Sequence, residues 1–258
     1  MTGLRDDTGA GVSVPENVLR VVSLVPSLTE SVAVTAPGLL VGATDWCTEP
    51  AGLDVTRIGG TKNPDTGKII ALRPDVVLAN QEENRAPDIE ALRAAGIAVW
   101  VTVITTLDEA LDSLHRLLTS GCGLPAPAWL AAAREAWDQL PPPPARRAVI
   151  PIWRRPWMAV GHSTFTGDVL ARLGVSNVFA AHPERYPKVS LDQIRAAGPD
   201  LVVLPDEPYA FSATDGPECF NGVDVALVSG RYLTWYGPSL VAAPEMLAGQ
   251  LAAATRYG

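Results

Sequence analysis

The sequence predicts an α/β protein built as two doubly wound parallel-sheet lobes joined by a single long helix, and three observations carry that expectation. Short Val- and Ile-rich runs alternate with longer stretches of helical period, the pattern of buried parallel strands covered by helices. A strand-entry pattern recurs: RPDVVL at residues 73–78 and GPDLVVL at 198–204 set Pro74 and Pro199 125 residues apart, each Pro-Asp pair leading into an apolar strand. Between the halves, residues 127–140 (PAWLAAAREAWDQL) are alanine-rich with no internal Pro or Gly, and four prolines follow at 141–144. The first is a strong helix and the second an extended stop, so together they read as a stiff strut.

The elements follow in order. Residues 20–25 (RVVSLV) form the first strand and 27–36 the helix after it. Residues 75–79 (DVVLA) are the next strand, 86–95 a helix, and 97–103 (IAVWVTV) a further strand. In residues 106–118 (TLDEALDSLHRLL) apolar positions fall at helical spacing, with Thr106 placed as an N-cap. The second half repeats the logic with a strand at 148–152 and a helix at 167–173. At ~150 residues per domain, a chain of 258 residues divides as an N-terminal extension 1–19, an N-terminal lobe 20–120, an inter-lobe helix and Pro linker 121–145, and a C-terminal lobe 146–258.

Composition excludes several classes. Hydrophobic residues at 47% and charged residues at 19% supply a sizeable core and rule out collagen, coiled coil and disorder. The net charge is −8 and the basic runs stop at the pairs Arg146-Arg147 and Arg154-Arg155, so nucleic acid is not an expected partner. Cys47, Cys122 and Cys219 show no CxxC spacing and signal neither a disulfide framework nor a zinc site. The first 20 residues lack the apolar run of ~7–15 residues that a signal peptide needs. The expectation is a cytoplasmic monomer, or a periplasmic or extracellular one if a leader has been removed.

Ligands of doubly wound lobes bind beyond the carboxyl ends of the strands, which singles out the segments there. Pro26-Ser27-Leu28-Thr29-Glu30 has capping-box spacing, which reads either as a simple helix cap or as a helix N-terminus aimed at an anionic ligand group. After DVVLA comes the polar run Asn80 to Arg85, with Glu82 and Glu83; after LVVL come Glu207 and Tyr209. Acids at corresponding strand ends suit a cation or a donor-rich ligand. Trp153, Arg154 and Trp157, followed by His162, combine stacking surface with charged donors. Trp235 stands in a fourth segment, LTWYGP. Trp46 and Cys47 share DWCTEP, where the thiol reads either as a nucleophile or as a buried inert group. Three histidines, only one of them beside candidate ligand residues, exclude a three-His metal site.

These residues carry a family likeness. RVVSLVPSLTE at 20–30, GGTKN at 59–63, LRPDVVLA, ALRAAGIAVWV, the lone inter-lobe helix and AAGPDLVVL resemble the helical-backbone (class III) substrate-binding proteins. These are the cobalamin, siderophore and haem receptors of ABC importers. The likeness covers about residues 20–250 and is nearest to cobalamin-binding members. It implies a non-catalytic protein holding a cobalamin-like or other flat metal-chelate ligand in a cleft between two lobes, with no metal held by the protein itself. Ligand contacts implied are Trp46, Lys62, Glu82 and Glu83 from one lobe. Trp153, Arg154, Trp157, His162, Tyr186, Glu207 and Tyr209 come from the other, joined by Pro26, Ser27, Cys47 and Trp235.

The resemblance also marks departures. The family's importer-docking acids, counted from the Pro-Asp strands, fall at Asp192 and at Gly67, so one anchor is missing. The second-lobe aromatic clamp falls at Tyr186, while the first-lobe position falls near Thr61-Lys62. The alternative function is a cytoplasmic enzyme using the same cleft on a small organic or cofactor-like substrate, with Cys47 or Glu82 reactive and His162 carrying the proton.

Overall fold

The structure is a computed structural model that describes residues 3–140 and 144–257. Of the four prolines expected as an extended stop, those at 141, 142 and 143 lie outside the described residues. The chain divides into two compact units, one of Met1–Ile104, Asp108–Ala131 and Tyr236–Pro238, the other of Thr105–Leu107, Ala132–Trp235 and Ser239–Gly258.

The first unit opens with an antiparallel hairpin, β1 (Leu4–Arg5) and β2 (Gly11–Val12). Asp6, its side chain fully enclosed, accepts from Thr8, from the Ala10 amide and from Arg93 Nη2 at 2.8 Å. Asp7 accepts from the Val103 amide at 3.0 Å and pairs with Ser113 and Arg116. The hairpin is thus fastened to the unit by carboxylates with several donors each.

Then come β3 (Val21–Ser23), β4 (Leu40–Ala43), β5 (Thr56–Arg57), the small hairpin β6 (Gly59–Gly60) and β7 (Asn63–Pro64), β8 (Val76–Asn80) and β9 (Val99–Thr102). Among the described residues the main sheet has the order β5-β4-β3-β8-β9, every neighbour parallel. All residues of β3, β8 and β9 are buried, which is why these strands read as unbroken apolar runs. The expected strand over 20–25 and helix over 27–36 appear as β3 and Pro26–Thr35. The helix expected over 106–118 runs Leu107–Arg116 and closes in a π turn, Leu117–Gly121. Gly121 has no room for a side chain: a Cβ there would stand 2.9 Å from the ring of the fully buried Trp100.

The capping box expected at Ser27 and Glu30 is corrected. Pro26 sits in the first turn with Val25 as the N-cap, so Ser27 is already inside the helix and its hydroxyl caps nothing. The capping box of the described chain lies at Ser190 and Gln193, where both reciprocal bonds are made.

The second unit holds β10 (Arg146–Val149), a ribbon of β11 (Pro151–Trp153) and β12 (Met158–Ala159), then β13 (Val175–Asn177), β14 (Leu201–Pro205), β15 (Asp224–Val228) and β16 (Thr255–Arg256). Its sheet order is β13-β10-β14-β15-β16. It is parallel except at the last edge, where β16 runs antiparallel to β15. In the first unit the first sheet strand, β3, lies between the second and the fourth, β4 and β8, and in the second unit β10 lies between the second and the third, β13 and β14, so each sheet changes direction at its first strand.

The Pro-Asp repeat now has a physical meaning. Asp75 Oδ2 accepts from the amides of Leu19 and Arg20 at 2.7 and 2.9 Å, while the Asp75 amide donates to Arg20 O at 2.8 Å. In the second unit Asp200 Oδ2 accepts from the Arg147 amide at 3.1 Å and the Asp200 amide donates to Arg147 O at 2.9 Å. Each aspartate closes the start of its strand onto the start of the neighbouring first strand, and the preceding proline ends the helix before it.

The Ala-rich segment is helical over Ala128–Asp138, and the division between the units falls within it. Trp129 Nε1 donates to Thr35 Oγ1 at 3.1 Å in the first unit, and Trp137 Nε1 donates to Leu240 O at 3.0 Å in the second.

Candidate functional site

In the first unit the sheet's winding reverses between β3 and β8, and the loop after β8 holds the expected acids Glu82 and Glu83. The loop after β8 is tightly held. Asn80 Oδ1 accepts from the amides of Glu82 and Glu83 at 2.8 and 3.2 Å, and the Asn80 amide donates to Asn84 Oδ1 at 2.9 Å. Asn84 Nδ2 in turn donates to Thr61 O at 3.0 Å, tying the loop to the tip between β6 and β7. Lys62, on the same tip, donates to Glu82 O at 2.6 Å. Glu83 accepts from the hydroxyl of Tyr236 at 3.0 Å. Burial, then the Glu83 carboxylate, pushes the Tyr236 phenol well above its ordinary range, so it stays a donor. Gly237 packs where a Cβ would meet Ser31 Oγ at 2.9 Å and Ser27 O at 3.1 Å, which brings Tyr236 onto the start of the helix Pro26–Thr35.

Trp46 is 69% exposed, and its indole nitrogen lies 3.7 Å from where a Cβ on Gly60 would stand. An aromatic therefore covers the tip at Gly60, beside Thr61 and Lys62, although the residues at the tip itself are not aromatic. Cys47, expected among the ligand contacts or as a nucleophile, is corrected on both counts. It is 0% exposed, its sulfur lies against the hydroxyls of Thr29 and Thr44 at 3.0 and 3.1 Å, and burial pushes its thiol up. Ser27 is 3% exposed and sits behind Pro26, which is half-buried.

In the second unit the reversal lies between β10 and β14. Trp153, 43% exposed, meets the ring of Tyr209 edge-on with centroids 5.6 Å apart. Trp157 faces inward, stacked parallel on Phe211 at 6.0 Å and edge-on to Phe220 at 5.3 Å, against a buried cluster that includes Val149, Ala159 and Leu204. Arg154 is corrected as a donor to ligand. Its guanidinium is enclosed by Asp215 and by Glu218 at 2.6 Å and lies over the Trp157 ring at 5.5 Å. Tyr209 donates to the other oxygen of Asp215 at 2.7 Å, so Arg154, Asp215 and Tyr209 brace one another.

Glu207 follows β14 and is half-buried, with Oε1 enclosed and unpartnered among the described residues. Burial and then Asp206 raise its carboxyl above the ordinary range; the bond from Trp235 and the charge of Arg231 act the other way. Gly230 permits this: a Cβ there would fall 2.1 Å from Glu207 Cγ. His162 is half-buried, with Nδ1 enclosed and without a hydrogen-bond partner among the described residues. The preceding Gly161 amide donates to Arg185 O at 2.7 Å, which sets the His162 turn beside the segment carrying Tyr186.

The expected residues thus gather into Trp46, Lys62, Glu82 and Glu83 on the first unit and Trp153, Tyr209, Glu207 and Trp235 on the second. Sequence reasoning passed over Tyr236, Arg231 and Asp215. Tyr236 stood in the quoted LTWYGP, and its signal was the adjacent Gly237. Among the described residues no group of three His, Cys, Asp or Glu is placed to hold a metal ion, and no helix is long and apolar enough to cross a membrane.

Two similarly wound parallel-sheet units, each presenting aromatic and acidic groups beyond its strand ends, give the chain the fold of substrate-binding proteins of the helical-backbone class, to which it is similar. It is 25% identical over 247 residues to the vitamin B12-binding protein of Pectobacterium carotovorum, covering 91% of this chain and 88% of the relative. The crystal structure of the periplasmic vitamin B12 binding protein of Vibrio cholerae superposes with a TM-score of 0.72 at 21% identity, covering 91% of this chain and 97% of that one. The periplasmic heme-binding protein of Roseiflexus sp. RS-1 superposes with a TM-score of 0.76 at 20% identity, covering 91% and 98%. No family model matches the sequence.

Proposed function

We propose that this protein is a non-catalytic receptor for a flat, ring-shaped metal chelate of the corrinoid or haem kind, bound by the groups beyond the strand ends. The observation that carries the reading is Trp46, a large aromatic left 69% exposed on a rigid turn beside Lys62 and the fastened loop of Glu82 and Glu83. Exposed aromatics on braced turns are the usual anchors of binding surfaces. Trp153 and Tyr209 offer a second aromatic group on the other unit. Tyr186 and His162 supply further contacts in this reading.

Delivery of the ligand to an ABC permease outside the cytoplasmic membrane fits the relatives. Asp192, with its side chain 91% exposed in the first turn of Leu191–Ala197, is the available acid for docking, and Gly67 leaves the first unit without its counterpart. The test is titration of the purified protein with cyanocobalamin, dicyanocobinamide and haemin, read by absorbance. Saturable binding of at least one, weakened tenfold or more in Trp46→Ala, is expected. Absence of saturable binding by all three overturns the reading.

A further inference from the structure

The turn that presents Trp46 is clamped by a residue outside the set of binding candidates. β4 ends at Ala43 and β5 begins at Thr56, so the chain between them, residues 44–55, is longer than the about 4–6 residues of an ordinary connection. Trp46 stands near its start. The Cys47 amide donates to Thr44 O at 3.1 Å, which makes Thr44-Asp45-Trp46-Cys47 a β-turn with Trp46 in third place. Its two ends, Thr44 and Cys47, are fully buried, while Asp45 and Trp46 between them are exposed.

Arg57 closes this turn. It is the last residue of β5 and lies opposite Ala43 in the parallel register, beside the point where the chain leaves β4. One nitrogen of its guanidinium, Nη1, donates to Thr44 O at 2.9 Å and to Cys47 O at 2.8 Å, so a single group spans the first and last carbonyls of the turn. Nη2 donates to Leu53 O at 3.4 Å and draws the far part of the connection onto the same side chain. A planar fork with several donors suits this task, because it is preorganised for more than one acceptor. Two other restraints reach the turn: the Asp45 amide donates to Gly59 O at 2.9 Å, and the Cys47 sulfur lies against the hydroxyls of Thr29 and Thr44. The first holds only Asp45 and the second only Cys47, whereas Arg57 joins the backbone at the two ends.

We infer that Arg57 is a positioning residue that fixes the Trp46 indole in the free protein, so that the exposed ring meets a flat ligand already oriented. The functional meaning rests on the proposed role of Trp46, but the positioning itself is a property of the ligand-free chain. An exposed aromatic on a loose connection would lose backbone and side-chain freedom on binding, and a turn braced in advance lowers that cost. Arg57 touches no ligand in this reading. Its donors are directed at backbone carbonyls of its own unit.

The experiment labels the full chain with 5-fluorotryptophan and records fluorine NMR without ligand, the Trp46 resonance being the one lost in Trp46→Phe. In Arg57→Leu that resonance is expected to move toward the position of free 5-fluorotryptophan, while the resonance of Trp153, which is also exposed, stays where it is. Should Arg57→Leu fail to fold, Arg57→Gln, polar but too short to span the turn, is read in the same way. Cyanocobalamin, dicyanocobinamide or haemin, whichever the parent binds, is then titrated into the same variants. The Arg57 substitution is expected to weaken that ligand at least fivefold in the parent and less than twofold in Trp46→Ala, since the loss passes through the indole. A merely structural role would move several resonances and weaken both backgrounds equally. The inference is overturned by an unmoved Trp46 resonance in a folded variant, or by equal loss of affinity with and without Trp46. If the parent binds none of the three chelates, the chelate reading falls, and the Trp46 resonance alone upholds or overturns the role of Arg57.

Discussion

The hydroxyl of Tyr236 donates a 3.0 Å hydrogen bond to Glu83 Oε1, joining residues 153 positions apart within the first unit. The phenol is buried and raised, so it remains a donor throughout the neutral range. Removing it leaves a partly buried carboxylate short of a donor. Tyr236→Phe is expected to cost about 1.5–3 kcal/mol, the range for bonds to charged groups. Urea unfolding followed by circular dichroism checks it, and an unchanged midpoint would show that Glu83 does not depend on this bond.

The two tryptophans beside Arg154 are expected to behave differently. Trp157 closes a buried aromatic cluster, so Trp157→Ala should lower folding stability by about 3–5 kcal/mol. Trp153 is exposed and edge-on to Tyr209, so Trp153→Ala should shift stability by no more than about 0.5 kcal/mol. It should instead weaken binding of the chelate by about 1 kcal/mol or more. Affinity and unfolding midpoint measured on both variants separate the roles; a Trp157→Ala protein of parental stability would return that residue to the ligand surface.

Glu207 gives a pH dependence of unusual sign. A carboxyl raised in the folded state favours folding when protonated: its contribution is fully present below the unfolded value of about 4.3 and is lost as pH rises through the folded value. Glutamine keeps an acceptor for Trp235 and does not titrate. Glu207→Gln is therefore expected to melt higher than the parent at pH 7, with the gap closing toward pH ~4. A gap constant with pH would mean that the gain came from packing.

Asp200 should show the opposite dependence. Although burial acts upward on it, the bonds from Arg146 and the Arg147 amide hold its carboxyl below the ordinary range. Its contribution is present above the unfolded value of about 3.9 and is lost as pH falls through the folded one. The group is half exposed, so Asp200→Ala is expected to cost only about 1 kcal/mol at pH 7. That cost should shrink in acid. Thermal unfolding at pH 7 and at the acid end checks it, and an equal cost at both would assign the effect to the backbone turn.

Much of the fold was legible because its strands are buried on both faces and so read as continuous apolar runs; β3, β8 and β14 are the clearest. Strands β4 and β13 escaped notice because their runs are interrupted, by Gly42 in the first and by Ser176 and Asn177 in the second. A Cβ at Gly42 would stand 2.8 Å from the Leu72 side chain and 3.2 Å from that of Val22, so a larger residue would push on both. The acids of the candidate site were legible from their place after a strand. The state of each side chain was not.

The amino-acid sequence by itself determined the two-unit α/β build, the Pro-Asp closure of each sheet and the polar segments after the strands, since these rest on local turn chemistry and on the period of buried residues. Tertiary structure alone decided which candidates face outward. Trp46 stays exposed while its neighbour Cys47 is enclosed by Thr29 and Thr44; Trp153 points out while Trp157, four residues on, stacks on Phe211. Neighbours in sequence have the same local pattern, and only packing against segments dozens of residues away separates a binding surface from a core.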